Sequence, residues 1–306
     1  MKNKTLVFYH FYEKNQSYID NFLHFFLFGY SESLDYIVVI AGKHTIELPE
    51  FENVTYIFAE NKNNDFGGYA YAIHHAVEIK SYEYFVFVNA SVRGPYTPSY
   101  CDKLWTEYFI DKLKDDTVLV GSTINIMAPA YRYTKSYKAK FGGQAPFSHV
   151  QTMAYALTQE AILFLYETGF YNLEEALSKE GVIESYEIHL SQTLIRNGWN
   201  IQCLLPEYNE IDYRLPHRDI NPTSRDGDPS FKKAYFGRTA HPFEILFVKT
   251  NRRIFSFNYL NRLSYSSYKT WKRFNRAVLH PSILGYVSKL ESVATSGNRL
   301  SWLFLR

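Results

Sequence analysis

The chain has 306 residues, of which 46% are hydrophobic and 21% charged, and its net charge at pH 7 is +2. This composition excludes a disordered chain and supplies enough apolar residues for the core of one large α/β domain. The two cysteines, Cys101 and Cys203, argue against a disulfide scaffold and favour a reducing compartment, and no Cys/His spacing indicates a zinc site.

The first half of the chain alternates between apolar runs and amphipathic segments. Strands are predicted at residues 4–11, 35–41, 54–59, 84–88 and 117–125, and helices at residues 17–28, 68–79 and 99–113. The run DYIVVIA at 35–41 is continuously apolar, as is typical of a strand buried in a parallel sheet. Strands that alternate with helices predict a mainly parallel sheet flanked by helices.

The pattern changes after residue 127. Residues 128–148 are polar, aromatic and glycine-bearing, so we predict a loop or lid there. Strands are predicted at residues 151–157 and 200–205, and helices at residues 159–167 and 184–197, the second of which ends before Gly198 as a C-terminal cap. Residues 212–236 are turn-rich and are interpreted as active-site loops, and residues 241–249 close the domain.

Two polar, glycine-bearing clusters each follow a predicted strand. The first is NDFGGY at residues 64–69, and the second is NASVRGP at residues 89–95. Both are expected at the carboxyl edge of the sheet, where open α/β sheets bind their ligands. The pair therefore predicts a site for a nucleotide-type ligand.

Each cluster also has a purely structural interpretation. Gly67 and Gly68 permit a tight turn and close backbone approach, and Asp65 can cap the helix that follows. The cluster at 89–95 can be an ordinary connecting loop after a buried strand. The ligand-binding interpretation instead brings a helix N-terminus, with its free N–H groups, close to an anionic diphosphate.

The two clusters resemble motifs of GT-A-fold glycosyltransferases, and in particular of the rhamnan-synthesis type of bacterial polysaccharide glycosyltransferases. The matched residues are Glu60-Asn61, the DFGGY run at 65–69 and the NASVRGP run at 89–95. A weaker similarity is found at residues 184–200, which resemble an acid-bearing helix that GT-A enzymes place below the acceptor. The resemblance covers residues 4–249 and implies a Rossmann-type, GT-A-like fold.

The resemblance also implies a donor-binding site. Its residues come from the end of the first strand, from the acidic-Asn turn and from the two clusters, and they are His10, Phe11, Glu60, Asn61, Asp65, Phe66, Gly67, Gly68, Tyr69, Asn89, Ala90, Ser91, Arg93 and Gly94. A structural role is the alternative for His10.

A carboxylate is needed to take the proton of the acceptor hydroxyl in an inverting transfer. Glu187 is the candidate for this general base, and Glu184 is the alternative; either acid can instead be helix-start charge that is favourable with the helix dipole. His217 and His241 lie in polar loops and are candidates for contact with the diphosphate, with structural roles as the alternative.

Many GT-A enzymes hold a divalent cation with an Asp-x-Asp motif at the end of the fourth strand. Here Asn89, Ala90 and Ser91 occupy that position without a carboxylate. We therefore expect no strict metal requirement, with Mn²⁺ or Mg²⁺ as optional ions. Arg93 is expected to supply positive charge to the diphosphate, because guanidinium matches phosphate oxygens.

The C-terminal segment differs from the rest of the chain. Residues 250–306 hold ten Lys or Arg residues and one acid, Glu291, interleaved with aromatic and aliphatic residues. We divide the chain into a GT-A-like domain at 1–249 and a basic, aromatic helical appendage at 250–306. The appendage is expected on an anionic membrane surface or a partner, and a solvated helical subdomain is the alternative. Nucleic acid is not expected as a partner, because a basic patch alone is unspecific.

The sequence thus predicts a hexosyl- or deoxyhexosyltransferase, inverting, that moves a sugar from a nucleotide-sugar donor to a cell-surface polysaccharide or a lipid-linked glycan. No signal sequence or membrane-spanning segment is predicted, so we expect a cytoplasmic protein, peripheral at the inner face of the cell membrane. Two alternatives are a non-catalytic nucleotide- or carbohydrate-binding module of a glycan assembly complex, and a sugar-phosphate transferase of capsule synthesis.

Overall fold

The computed structural model describes residues 4–173, 175–274 and 279–296. Its strands, in chain order, are β1 (Thr5–Phe11), β2 (Asp35–Ala41), β3 (Val54–Ala59), β4 (Tyr84–Asn89), β5 (Val92–Arg93), β6 (Thr117–Gly121), β7 (Ile124–Asn125), β8 (His149–Val150), β9 (Ala154–Thr158), β10 (Asn200–Cys203) and β11 (Val248–Lys249). Its α-helices are α1 (Gln16–Phe28), α2 (Asn64–Ala76), α3 (Glu107–Ile110), α4 (Arg132–Phe141), α5 (Gln159–Glu167), α6 (Lys179–Val182), α7 (His189–Arg196), α8 (Pro242–Ile245), α9 (Phe257–Phe274) and α10 (Pro281–Thr295).

Seven strands of the described residues form one sheet in the order β10-β6-β9-β4-β1-β2-β3. The pairs β1–β2, β1–β4, β2–β3 and β6–β10 are parallel, whereas β9 runs antiparallel to both β4 and β6. The predicted α/β class with a mainly parallel sheet flanked by helices is confirmed. The reversal of β9 was not predicted, because an apolar run carries no sign of its direction.

The register of the sheet brings the ends of β1 and β4 together. His10 lies beside Asn89 in the parallel pairing of these two strands. Residues of β1 alternate between the two faces of the sheet, so Leu6 and Phe8 enter one apolar layer and Val7 and Tyr9 enter the other. Both layers are sealed by helices, which leaves the carboxyl edge of the sheet as the open side for a ligand.

Three predicted elements are wrong in extent. Of the helix predicted at 99–113, only α3 is formed. In the residues before it, the backbone N–H of Cys101 donates to the carbonyl of Pro98, and the backbone N–H of Leu104 donates to the carboxylate of Glu107, so both groups are engaged in turns. The strand predicted at 117–125 is broken after Gly121, where the backbone leaves the sheet and β7 pairs with β8. The helix predicted at 68–79 begins earlier, at Asn64, so the first cluster forms its first turns.

The loop predicted at 128–148 contains the helix α4. Its Tyr133 and Tyr137 are four residues apart and therefore lie on one face, where they are buried with Phe147 and Ile188 in a small separate cluster. This aromatic periodicity was the available signal for a helix. Only the flanking residues of the segment are irregular.

The helix predicted at 184–197 is present but is not uniform. Residues Ile183–Ile188 form one π-helical segment, and α7 continues from it to Arg196. Wide turns of this type occur frequently at functional sites. Glu184 and Glu187 both belong to the π-helical segment.

The described part of the basic C-terminal segment is helical and packs onto the sheet domain. Buried Tyr268 of α9, together with Tyr286 and Leu290 of α10, belongs to the apolar cluster that contains α1, and Leu260 of α9 belongs to the cluster on the other face of the sheet. The described part of the segment therefore contributes to both apolar clusters of the core; residues 275–278 and 297–306 lie outside the described residues. None of the helices that the structure describes has the length and apolarity to cross a bilayer.

Candidate active site

A cavity of about 610 Å³ opens at the carboxyl edge of the sheet, between the ends of β1 and β4, the start of α2 and the π-helical segment. Seven of the residues expected in the donor or acceptor site line it, namely His10, Asn61, Asp65, Asn89, Ala90, Ser91 and Glu187. The cavity is large enough for a nucleotide-sized ligand. The two sequence clusters and the acid-bearing helix thus meet at one place.

Asp65, Asn89 and Ser91 form a hydrogen-bonded chain in the cavity wall. The amide Nδ2 of Asn89 donates to Oδ2 of Asp65 at 2.8 Å. Oδ1 of Asn89 accepts from the backbone N–H of Ser91 at 3.1 Å and from its hydroxyl at 2.5 Å. Because both ends of the amide are engaged, the orientation of Asn89 is set by its neighbours.

Asp65 is a buried carboxyl group that is difficult to ionise. Its burial, reinforced by the nearby charge of Glu187, raises its pKa to about 7, although the hydrogen bond from Asn89 favours the charged form. Asp65 therefore changes its charge near neutral pH. Groups with this behaviour in a cleft are candidates for function.

His10 is 4% exposed at the end of β1, and its Nε2 has no hydrogen-bond partner among the described residues. Burial lowers its pKa to about 4, so the imidazole is neutral at physiological pH. A neutral imidazole with a free nitrogen at the cavity wall can exchange a hydrogen bond with a hydroxyl or base edge of a ligand.

The two glycines of the first cluster are required by protein packing. A Cβ on Gly67 would lie 1.9 Å from the carbonyl oxygen of Lys62, and a Cβ on Gly68 would lie 2.5 Å from the His10 ring. Gly68 thus allows α2 to approach β1 and to hold His10 in place. Packing thus accounts for the glycines at these two positions, while Asp65 lines the cavity.

Glu187 faces the cavity from the π-helical segment, and Glu184 does not line it. The two acids are three residues apart on one helical segment, yet only Glu187 is placed to meet a ligand. The choice of Glu187 over Glu184 as candidate base therefore agrees with the geometry.

Basic residues that were not predicted from the sequence line the cavity. Lys14, Lys179, Lys249 and Arg252 all line it. Lys249 is half-buried, and burial together with the charge of Arg252 lowers its pKa, against the opposing influence of Glu187, Asp228 and Asp65. No ion pair or hydrogen bond of the Lys249 ammonium is found within the described residues. The sequence pattern that could have drawn attention to Lys249 is a lysine at the end of an apolar run, FVK at 247–249.

Arg252 is held by a second layer of polar groups. Its Nη1 donates to Oδ2 of Asp228 and to the hydroxyl of Ser230, both at 2.6 Å, and its guanidinium lies 4.1 Å from the ring of Phe231. Burial opposes the ionisation of Asp228, but the charges of Arg252 and Lys249 and the hydrogen bonds from Ser230 together lower the pKa of this carboxyl. The cavity therefore presents a fixed guanidinium.

Arg93 does not contact the cavity, contrary to the sequence prediction. It is fully buried between α1 and α9, where its Nε donates to Asn21 at 3.0 Å and its Nη1 to Asn261 at 2.6 Å. Its Nη2 is 3.6 Å from the carboxylate of Asp20. These partners on α1 and α9 hold the guanidinium away from the cavity lining, so it does not reach a diphosphate there.

The two histidines proposed for the diphosphate also lie elsewhere. His217 accepts from the hydroxyl of Ser148 at 2.6 Å and bonds the carbonyl of Leu215 at 2.7 Å. His241 caps the N-terminus of α8 through a capping box with Glu244. Neither lines the cavity, and the hydrogen bonds of both are made within the protein.

The remaining expected donor residues do not line the cavity. Three are buried aromatic side chains of the core, Phe11, Phe66 and Tyr69. Gly94 packs against Leu246 and Phe247, and Glu60 lines a separate groove beside α2. These positions support the site without facing it.

The residues at the end of β4 do not fit a divalent cation. Oδ1 of Asn89 is already used by Ser91, Ala90 has no ligand atom, and the ammonium of Lys249 shares the cavity with Asp65. Mn²⁺ and Mg²⁺ need several oxygen ligands. No group of three or more His, Cys, Asp or Glu side chains suited to a metal occurs among the residues described by the structure.

No known protein-family profile matches the chain, and no curated protein sequence matches it. Some solved structures are distantly similar to this chain in backbone structure. Galactosyltransferase LgtC, in complex with donor and acceptor sugar analogues, has a TM-score of 0.43 at 10% identity, over 92% of this chain and 99% of that chain. The mannosyltransferase PcManGT from Pyrobaculum calidifontis, in complex with GDP-Man and Mn²⁺, has a TM-score of 0.39 at 11% identity, over 95% and 84% of the two chains. A glycosyltransferase involved in glycosylation of the major capsid of PBCV-1 has a TM-score of 0.30 at 16% identity, over 60% and 74%.

Proposed function

We propose that the protein is a GT-A-like glycosyltransferase that moves a sugar from a nucleotide-sugar donor to a glycan acceptor. The observation that carries the proposal is the cavity at the carboxyl edge of the sheet, where an unpartnered His10 and a buried Asp65 face the cations Lys249 and Arg252. Polar groups for a nucleoside and positive charge for a diphosphate are thereby combined in one site. The likeness of the two sequence clusters to the rhamnan-synthesis type stays a prediction from the sequence.

The donor is proposed to lie with its nucleoside against β1 and the start of α2. His10, Asn61 and Asn64 line this part of the cavity, and they offer hydrogen-bonding groups for ribose hydroxyls or a base edge. The diphosphate then meets Lys249 and Arg252. Their charges stabilise the negative charge that develops on the leaving nucleoside diphosphate.

Transfer is proposed to proceed with inversion and with Glu187 as general base. The carboxylate takes the proton of the acceptor hydroxyl while that oxygen forms a bond to the anomeric carbon. The bond between the anomeric carbon and the diphosphate oxygen breaks, and its electron pair leaves with the nucleoside diphosphate. Because the residues at the end of β4 do not fit Mn²⁺ or Mg²⁺, the cations of the chain are proposed to suffice for this step.

The setting proposed for the reaction is the cytoplasmic face of the cell membrane, with a polysaccharide or lipid-linked glycan as acceptor. Cys101 and Cys203 are free thiols, which suits a reducing compartment. Arg262, Lys269 and Lys272 are exposed on α9, so this helix offers positive charge to anionic lipid.

Donor turnover tests the proposal. Purified protein should release nucleoside diphosphate from at least one member of a panel of UDP-, GDP-, dTDP- and CDP-sugars, and Glu187→Gln should slow the release. Binding without release from any of them would favour the non-catalytic binding module. Release of a nucleoside monophosphate would favour the sugar-phosphate transferase.

A further inference from the structure

The helix α4 carries uncompensated positive charge beside the candidate base. Arg132, Lys135, Lys138 and Lys140 are all exposed on it. The chain has no Asp or Glu from residue 117 to residue 159. Within the part of the chain that the structure describes, none of these four cations forms an ion pair. Burial raises the pKa of Tyr133 on the same helix, and the charges of Glu180 and Glu187 raise it further, so α4 lies close to the segment that carries the candidate base.

The positive face is fixed relative to Glu187. The hydroxyl of Tyr137 is 2.9 Å from Nδ1 of His189, directly after the π-helical segment. The ammonium of Lys140 donates to the hydroxyl of Ser185 within that segment at 2.8 Å. These two contacts fix α4 relative to the helical segment that carries Glu187.

We propose that α4 binds an anionic glycan, so that the acceptor is an acidic oligosaccharide with carboxylate or phosphate groups. This inference rests on the proposed function, because it assigns the chemical class of the acceptor for the same site. The side-chain ammonium groups of Lys135 and Lys138 form no hydrogen bond or ion pair with the rest of the described chain, so their charges are available to a ligand. Four cations without acidic partners attract a polyanion by charge complementarity.

A membrane surface fits this helix less well. A helix that lies in a bilayer interface buries an apolar face among the lipids. Of the apolar side chains of α4, Tyr133 and Tyr137 are instead buried against the protein and Phe141 is half-buried, and the exposed positions carry mainly cations. A soluble polyanion can bind to exposed cations without an exposed apolar face. The surface of α4 therefore favours an anionic glycan over a membrane.

The test compares two charge-matched double variants. Lys135→Gln with Lys138→Gln removes two unpaired cations from α4. Lys80→Gln with Lys114→Gln removes two exposed cations that precede β4 and β6, at the opposite edge of the sheet. Binding is measured by calorimetry with oligogalacturonate as acidic probe and a malto-oligosaccharide of equal length as neutral probe, at low and at high salt.

We expect wild-type protein to bind oligogalacturonate and not the neutral probe, and to lose this binding at high salt because screening shortens the range of charge interactions. The α4 variant should bind about tenfold more weakly, and the control variant should match the wild type. Equal binding of the two probes, or equal weakening by the two variants, would overturn the proposal.

Two further measurements separate this inference from the proposed function. Donor hydrolysis in the absence of acceptor should be unchanged in the α4 variant, so a protein that turns over donor but ignores the acidic probe contradicts only the inference. Sedimentation with vesicles containing phosphatidylglycerol should also be unchanged in that variant. Loss of vesicle binding would assign α4 to lipid and would overturn the glycan assignment.

Discussion

Oδ2 of Asp228 accepts a hydrogen bond from Nη1 of Arg252 at 2.6 Å, and this pair fixes the guanidinium that faces the cavity. Asp228 itself is 5% exposed and does not line the cavity. It is therefore a positioning residue, which acts on a ligand only through Arg252.

Replacement of Asp228 by Asn should weaken donor binding and leave the chemical step nearly intact. Asn keeps a hydrogen bond to Arg252 but loses the charge that holds the guanidinium, so we expect KM for the donor to rise about tenfold with little change in kcat. Asp226→Asn is the matched control, because Asp226 is exposed in the same loop and Asn tolerates its positive φ of 55°. A change in kcat alone, or the same change in the control, would contradict the positioning role.

Glu187→Gln should lower kcat by roughly 10² to 10⁴, the usual contribution of a positioned acid or base. The affinity for donor nucleotide should change little, because the amide has nearly the shape of the carboxylate. Glu184→Gln is the control on the same helical segment and should retain activity. Loss of activity in Glu184→Gln alone would move the base to that residue.

The raised pKa of Asp65 should make the free energy of unfolding decrease as the pH rises towards neutrality. Its pKa is about 7 in the folded protein, above the value of an unfolded carboxyl group, so the folded state holds the extra proton between about pH 4 and pH 7 and loses this stabilisation as the pH rises through 7. His10 acts in the opposite sense below about pH 6.5, because its pKa of about 4 means that the folded state binds fewer protons there.

The contribution of Asp65 is isolated by comparison with Asp65→Asn. The free energy of unfolding in urea, measured from pH 4 to pH 8, should show a difference between wild type and variant that shifts by up to about 3 kcal/mol across this range. The wild type should lose stability relative to the variant as pH rises. A constant difference would show that Asp65 ionises as an ordinary carboxyl group.

The exposed cations of α9 should mediate binding to anionic membranes. The triple variant Arg262→Gln, Lys269→Gln, Lys272→Gln should sediment less with phosphatidylglycerol vesicles than wild type, since each basic residue near such a surface contributes about 1 kcal/mol. Lys43→Gln, Lys80→Gln and Lys114→Gln together are the control. Truncation at residue 249 is unsuitable, because it would uncover the buried Arg93 and remove Asn261, its hydrogen-bond partner. Equal sedimentation of the two variants would leave α9 as ordinary folded structure.

The strand ends could be predicted from the sequence, and the cations of the site could not. The first apolar run ends directly after His10 and the other ends at Asn89, so they mark where β1 and β4 end, and parallel strands bring such ends to one edge of the sheet. Lys249 reaches the same edge only because β11 pairs with β5, a contact between residues far apart in the chain. The lysine that ends the apolar run FVK at 247–249 indicates the end of a strand, but no local pattern reports which strand it pairs with.

The error at Arg93 has the same origin. An arginine directly after a buried strand suggests a ligand contact when only the strand is considered. Its burial depends on Asn21 of α1 and Asn261 of α9, which belong to opposite ends of the chain. The wide turns of the π-helical segment, which direct Glu187 to the cavity and Glu184 away from it, are likewise a detail of backbone geometry that residue types do not encode.

The central claim is that the cavity binds a nucleoside diphosphate with the cations of the chain and without a divalent metal. The direct test is calorimetric titration of the protein with UDP, GDP, dTDP and CDP in the presence of a chelator, for wild type and for Lys249→Gln. We predict that at least one nucleotide binds in chelator and that Lys249→Gln weakens it about tenfold. Absence of binding in chelator that is restored by Mn²⁺, or equal affinity of wild type and Lys249→Gln, would contradict the account.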